Sequence, residues 1–159
     1  MNSEMLSFQK DDKRFNCRSV AVFIHEQKVL LHRVQDNPYW SLPGGRVEFL
    51  ESASTTVIRE MKEELDIDCQ IIRPLWIMEN FFSYTDKKQH EIAFYFLLNC
   101  PEQLLNKGSE FEVLEDGTTL LHFKWKEISG LQEEKLFPTV LKSSLVQLPS
   151  SLEYIVHRG

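Results

Sequence analysis

Apolar residues fall along the chain in two rhythms, one of strands and one of a single strong helix. Arg18 to Ile24 (Arg-Ser-Val-Ala-Val-Phe-Ile) is a β-rich apolar run. His25-Glu26-Gln27-Lys28 supplies a polar turn, and Val29 to Arg33 resumes the apolar pattern. Two such runs around a short turn predict a hairpin. Ala53, Val57, Met61 and Leu65, with Ile58 beside them, recur at helical spacing and predict an amphipathic helix over Glu51 to Leu65. Ser52 is its candidate N-cap. Gln70 to Met78 is a strand candidate that Pro74 makes edge-like or bulged. Phe81 to Tyr84, a polar turn over Thr85 to Gln89, and His90 to Asn99 predict another hairpin. Its run Ile92 to Leu98 lacks alternation, which suits a central strand covered on both faces. Phe111 to Glu115 and Thr118 to Trp125 flank Asp116-Gly117, the signature of a type I′ hairpin turn. Pro138 to Leu148 predicts a second helix with proline in its first turn, and Leu152 to Val156 a last strand. Residues 1–15 read as a loosely ordered or edge segment of a single domain spanning 1–159.

Within the first helix Glu60, Glu63 and Glu64 stand at i, i+3 and i+4, so their carboxylates share one face at roughly 5–6 Å between Cβ atoms. Like charges at that spacing repel, and a hard divalent cation reverses the repulsion because it prefers oxygen ligands. An acidic stripe can also be nothing more than a solvated face. Here Glu64 falls within the apolar sector, Glu60 at its margin and Glu63 farther round. A carboxylate beside a buried face needs a partner. Upstream, Pro43-Gly44-Gly45 allows backbone to approach a ligand or metal closely.

Gly45, five residues, Glu51, seven residues, then Arg59-Glu60-Met61-Lys62-Glu63-Glu64-Leu65-Asp66-Ile67 resembles the Nudix (MutT-type) motif G-x5-E-x7-R-E-U-x-E-E-x-G-U, where U is bulky and apolar. The one departure is Asp66, where the family has its second glycine. The resemblance is sharp over about Val20 to Ile67. It implies an α+β fold of the Nudix α/β/α sandwich type, a mixed sheet with a helix on each face. It also implies a metal-dependent hydrolase that cleaves a nucleoside diphosphate linked to another moiety, with Mg²⁺ or Mn²⁺ as cofactor. On this reading Gly45 (through its carbonyl), Glu60, Glu63 and Glu64 are metal ligands. Glu51, Arg59, Glu60 and Glu64 carry the chemistry, with Arg59 orienting Glu51. Which carboxylate accepts the proton of water stays open, and Glu91, Glu110, Glu112 and Glu115 are candidates outside the motif that otherwise read as surface acids. Nucleoside triphosphates, nucleotide sugars or ADP-ribose, and dinucleoside polyphosphates are all compatible substrates. The alternative is a Nudix-fold module that binds a nucleotide without cleaving it; such modules typically lose motif glutamates, and this chain keeps Glu51, Glu60, Glu63 and Glu64.

Composition narrows the partners. Hydrophobic residues at 42% and charged ones at 26% are ordinary globular values. The net charge of −6 argues against a general nucleic-acid-gripping surface, although metal ions let an acidic site bind polyphosphate. No run approaches 18 apolar residues, and Met1 to Phe15 lacks the apolar core of a signal peptide. Cys17, Cys69 and Cys100 are scattered and odd in number, which fits free thiols and a cytoplasmic setting. Monomer and homodimer are both compatible. For the substrate the candidates are Phe81, Phe82 and Arg46, with Tyr84 in the same aromatic strand end. Successive strand side chains alternate, so only one of Phe81 and Phe82 can line a given cleft. His90 and His122 could contact phosphate but read first as structural, and Trp40, Trp76 and Trp125 as core.

Overall fold

The computed structural model describes residues 4–159; the first three residues of the loosely ordered or edge segment expected over 1–15 lie outside them. In chain order the elements are β1 (Ser7–Lys10), β2 (Lys13–His25), β3 (Lys28–Val34), β4 (Gly44–Arg46), α1 (Ala53–Leu65), β5 (Ile71–Tyr84), β6 (Lys87–Leu98), α2 (Glu102–Leu105), β7 (Glu110–Glu115), β8 (Thr119–Glu127), a 3₁₀ turn (Ile128–Glu133), α3 (Leu141–Ser144) and β9 (Glu153–Arg158). The strands form one mixed sheet in the order β7-β8-β3-β2-β6-β5-β9, with β1 and β4 also paired to β2. β2 and β6 run parallel over eleven registered pairs, from Lys13↔Lys88 to Phe23↔Leu98.

Local chemistry sets the hairpins. Glu26 and Gln27, Thr85 and Asp86, and Asp116 and Gly117 all have positive φ, the conformation that matches the right-handed twist of the strands they join. α1 begins where Ser52 accepts a hydrogen bond from the Thr55 amide and ends at Asp66 in the left-handed region, φ 53°. Its Val57, Met61 and Leu65 pack on Ala21, Phe23, Leu30, Phe96 and Phe123 to form one core. The other sheet face carries a second core around Val20, Val22, Leu31, Trp76, Met78 and Tyr95.

Tertiary context overrode the sequence pattern in several places. The expected second helix over Pro138 to Leu148 contracts to α3, because Ser143 and Ser144 are weak helix formers and Pro149 follows. The second face is therefore covered by α3, the 3₁₀ turn and the loop between them, through Leu131, Leu136, Leu141 and Leu145, rather than by one long helix. β5 is not an edge strand, since β6 and β9 flank it. Pro74 sits at a register shift against β6 and before the β9 pairing begins at Trp76, so its missing N–H is not needed. Within residues 7–15, Ser7–Lys10 is a paired strand and Lys13 onward belongs to β2. Trp40 and Trp76 are buried, as the core reading requires, and Trp125 is partly so.

One irregularity positions everything that follows. β2 and β3 pair only at Ile24↔Val29 and His25↔Lys28. Beyond that they diverge, and residues 40–46 fill the gap. Ser41 exchanges backbone hydrogen bonds with His32, Pro43 accepts one from the Ala21 amide, and Gly44–Arg46 pairs with Val20–Arg18. A Cβ at Gly44 would overlap the Ser19 carbonyl, so only glycine permits the pairing.

Candidate active site

The helix and the glycine loop meet at Gly45, where a Cβ would overlap the Glu60 carboxyl. A side chain at this position would displace that acid. Glu64, one turn on, is buried at 7% exposure, and its Oε1 has no hydrogen-bond partner. Burial, together with Glu60 beside it, pushes the Glu64 carboxyl up to about 9, and burial raises Glu60 as well. Glu63 is 58% exposed, in keeping with its place farther round the helix.

Arg59 ties the acids together. Its Nε donates to Glu51 Oε2 at 2.7 Å and its Nη2 to Glu51 Oε1 at 2.9 Å, a two-pronged grip. Nη1 donates to Glu60 Oε1 at 3.1 Å and to Glu63 at 3.3 Å, and Glu48 lies 3.6 Å from Nη2. The Thr56 hydroxyl and the Glu48 amide donate to Glu51 as well. These donors, the Arg59 guanidinium first, hold Glu51 down at about 2, and Glu51 in turn raises Arg59. Arg59 thus both grips Glu51, as expected, and makes an i, i+4 pair with Glu63.

The donors on this side of the loop are hard oxygens: the Glu60, Glu63 and Glu64 carboxylates and the backbone of half-buried Gly45. That set suits a hard divalent cation, and Glu64 Oε1, buried without a hydrogen-bond partner, is the kind of atom a cation would satisfy. Among the described residues no group of three or more His, Cys, Asp or Glu lies close enough together to hold a metal ion as the side chains stand.

Two features lie outside the motif, and each involves an acid named among the candidates there, Glu115 and Glu91. From the β7–β8 hairpin Glu115 comes within electrostatic reach of Glu60, Glu63 and Glu64; burial, then Asp116 and the first two of those glutamates, raises it. The second is a polar row on the sheet face opposite α1. Asn16, Glu91, Asn80 and His157 are successive cross-strand partners on β2, β6, β5 and β9, so they share one face. Asn16, Asn80 and Glu91 are buried, and so is Gln89 in the next row. Glu91 is therefore not the surface acid expected. Ser7 donates to Asn16 at 2.7 Å, and His157 Nδ1 lies 3.0 Å from Asn80 Oδ1. Arg14 shares the next row with Gln89 and Phe82, while Arg18 and Arg46 pair on the side nearer the core. A cluster of buried amides and one acid in mid-strand is the signal that was available, visible only once registers are known.

The expected residues divide accordingly. Gly45, Glu51, Arg59, Glu60, Glu63 and Glu64 come together. Arg46 and Phe82 lie on the polar face, and Phe81 on the α1 face, where it stacks on His90 at 4.5 Å with Arg158 4.4 Å over its ring. His90 and His122 are held by Glu79 and Glu110.

Comparison with known proteins bears on the same region. The NUDIX domain family model matches residues 16–136. A relative from Bacillus subtilis (strain 168), described as a putative 8-oxo-dGTP diphosphatase, is 47% identical over 106 residues, 67% of this chain and 62% of its own length. The chain thus spans less than two thirds of that relative. A MutT protein structure from Bacillus halodurans superposes with a TM-score of 0.61 at 20% identity, covering 89% of each chain. An ADP-ribose pyrophosphatase structure from Streptococcus suis does so with a TM-score of 0.56 at 18% identity, covering 89% of this chain and 98% of that one. At such identities these two likenesses are likenesses of fold. No helix among the described residues is long and apolar enough to cross a membrane.

Proposed function

Since the chain belongs to the NUDIX family, whose hydrolases act on pyrophosphate bonds, we propose that it hydrolyses a nucleoside triphosphate to the monophosphate and pyrophosphate, with an oxidised purine nucleotide of the 8-oxo-dGTP kind as preferred substrate. The observation that carries the reaction is the buried Glu64, its Oε1 without a hydrogen-bond partner, packed beside Glu60 at Gly45. The preference rests on the 47% identical relative. ADP-ribose and dinucleoside polyphosphates are the competing substrates.

Glu60 and Glu64, with Glu63 from the solvent side and the Gly45 carbonyl, would hold the divalent ion. When bound, that ion neutralises phosphate oxygens and lowers the pKa of water. Arg59 fixes the rotamers of Glu51, Glu60 and Glu63 before substrate arrives, so less ordering is left to the reaction. Arg46 and Arg18 stand where the glycine loop passes onto the polar face and supply positive charge for the phosphates. On that face Asn16, Asn80, Gln89 and Glu91 offer donors and acceptors to the edge of a base, and Phe82 offers an apolar surface.

The test is turnover with Mg²⁺ and, separately, Mn²⁺ on 8-oxo-dGTP, dGTP, ADP-ribose and diadenosine tetraphosphate, with nucleotide products resolved by chromatography. A kcat/KM highest on 8-oxo-dGTP, with pyrophosphate released, supports the proposal. Faster cleavage of ADP-ribose overturns the substrate, and no cleavage of any compound overturns the activity.

A further inference from the structure

At the far end of the sheet, strand ends enclose a groove of about 680 Å³. Its floor is aromatic. Phe8 stacks on Phe15 at 5.2 Å with ring planes 29° apart, and Phe15 meets His90 edge-on at 5.5 Å. Both faces of the Phe81 ring lie against neighbours, His90 and Arg158. Phe8 is 67% exposed, so it presents a flat apolar surface that nothing among the described residues covers. Around that floor stand Lys10, Lys13, Lys88 and Arg158, and among the described residues no Asp or Glu side chain lines the groove. Asp12 approaches from behind, 3.7 Å from Lys13 and 3.9 Å from Lys88. In a chain of net charge −6, four cations around an aromatic floor are a local inversion of the molecule's character.

We propose that this groove is a second nucleotide site, stacking a base on Phe8 and holding its phosphate with Lys10, Lys13 and Lys88. Its volume suits one nucleotide, since sites for small ligands run from about 300 to 1,000 Å³. Flat rings recognise a base of any sequence by stacking, and lysines on a rim recognise phosphate as point charges. A symmetric contact with a second copy is disfavoured, because it would set four cations against the same four. The site is separate from the glutamate cluster. Phe15 lies four residues along β2 from Ser19, the partner of Gly45, or about 13 Å at ~3.3 Å per residue. Its floor also faces the α1 side of the sheet, away from the row of Asn16, Glu91 and Asn80. The proposal does not depend on the hydrolytic reading.

The probe is AMP, which has no anhydride to cleave, titrated into ¹⁵N-labelled full chain with chelator present. Amide shifts are expected over residues 8–15 and 88–90. Phe8→Ala should weaken binding at least ~5-fold by loss of stacking, and Lys13→Glu with Lys88→Glu at least ~10-fold, binding in all cases falling with salt. These residues are exposed, and thermal melts matching the wild type establish that the variants fold. The proposal is overturned by shifts confined to residues 44–64 and the polar row, or by affinity that ignores the substitutions. It is equally overturned if ribose 5-phosphate binds as tightly as AMP, or if an oligothymidylate binds far more tightly than its number of bases explains, which would make this a nucleic-acid surface. Turnover should be unchanged in the variants without AMP, and a loss there would mean that the groove serves the catalytic site instead.

Discussion

Glu64→Gln keeps the shape of the side chain and removes its charge, so it isolates what the buried carboxylate costs and does. Without metal the wild-type fold holds a carboxyl whose pKa is pushed to about 9 by burial and by Glu60. In the unfolded chain the same group ionises near its ordinary value of about 4.5. Between those values the folded state carries a proton that the unfolded state has released. Stability from this group is therefore fully present below about 4.5 and falls as pH rises toward 9. At pH 7 the gap of about 2.5 pH units corresponds to at most ~3 kcal/mol. Strong coupling to Glu60 makes ~1–3 kcal/mol the expected gain in Glu64→Gln, with a raised melting temperature of about 2–4 °C per kcal/mol. Differential scanning calorimetry of both proteins with chelator, from pH 5 to 9, measures it. Because Glu51, Glu60 and Glu63 titrate in both proteins, the difference between the two curves is the observable, and it should widen with pH. Adding Mg²⁺ or Mn²⁺ should stabilise the wild type and much less the variant. Turnover should fall ~10²–10⁴-fold. A variant that melts below the wild type at pH 8 without metal, or that keeps its turnover, refutes the reasoning.

Arg59→Gln removes the two-pronged grip on Glu51 and should cost about 2–3 kcal/mol in urea unfolding at pH 7, the scale of charge-assisted bonds to a partly buried acid. Glu51 is held near 2, so its contribution is present above about 4.5 and lost as pH falls toward 2; the gap between wild type and Arg59→Gln should close over that range. Asp66→Gly relieves a left-handed Cβ at the end of α1 and should raise stability by up to ~1 kcal/mol, reduced by loss of the exposed Lys62 contact, with activity unchanged; a clear loss of turnover would give Asp66 a chemical role. Phe82→Ala should raise KM with kcat little changed, whereas Phe81→Ala, half-buried against His90 and Arg158, should cost about 1–2 kcal/mol and leave KM alone. Equal KM effects at the two positions would contradict the division of faces.

What the sequence determined is what neighbours along the chain decide. The apolar stripe of Val57, Met61 and Leu65, the Ser52 cap and the left-handed end at Asp66 follow from interactions within one or two turns. The same holds for the Asp116-Gly117 turn and for the face shared by Glu60 and Glu64, whose i, i+4 spacing is geometry. Tertiary structure decided what distant segments share. Asn16, Glu91, Asn80 and His157 make one row only because β2 pairs parallel with β6 and β5 with β9, and a shift of one residue would turn Asn16 to the other face in the first register and His157 in the second. The wedge of residues 40–46 between β2 and β3 exists because those strands part after two pairs, and no local signal marks where a ladder ends. The second helix shortened for a related reason. Its apolar positions had only to reach the core, and Leu131, Leu136, Leu141 and Leu145 reach it from a 3₁₀ turn, a loop and one turn of helix as well as from a continuous one. Hydrophobic burial is non-directional, so the sequence pattern says which side chains go in and leaves the path of the backbone to the whole fold.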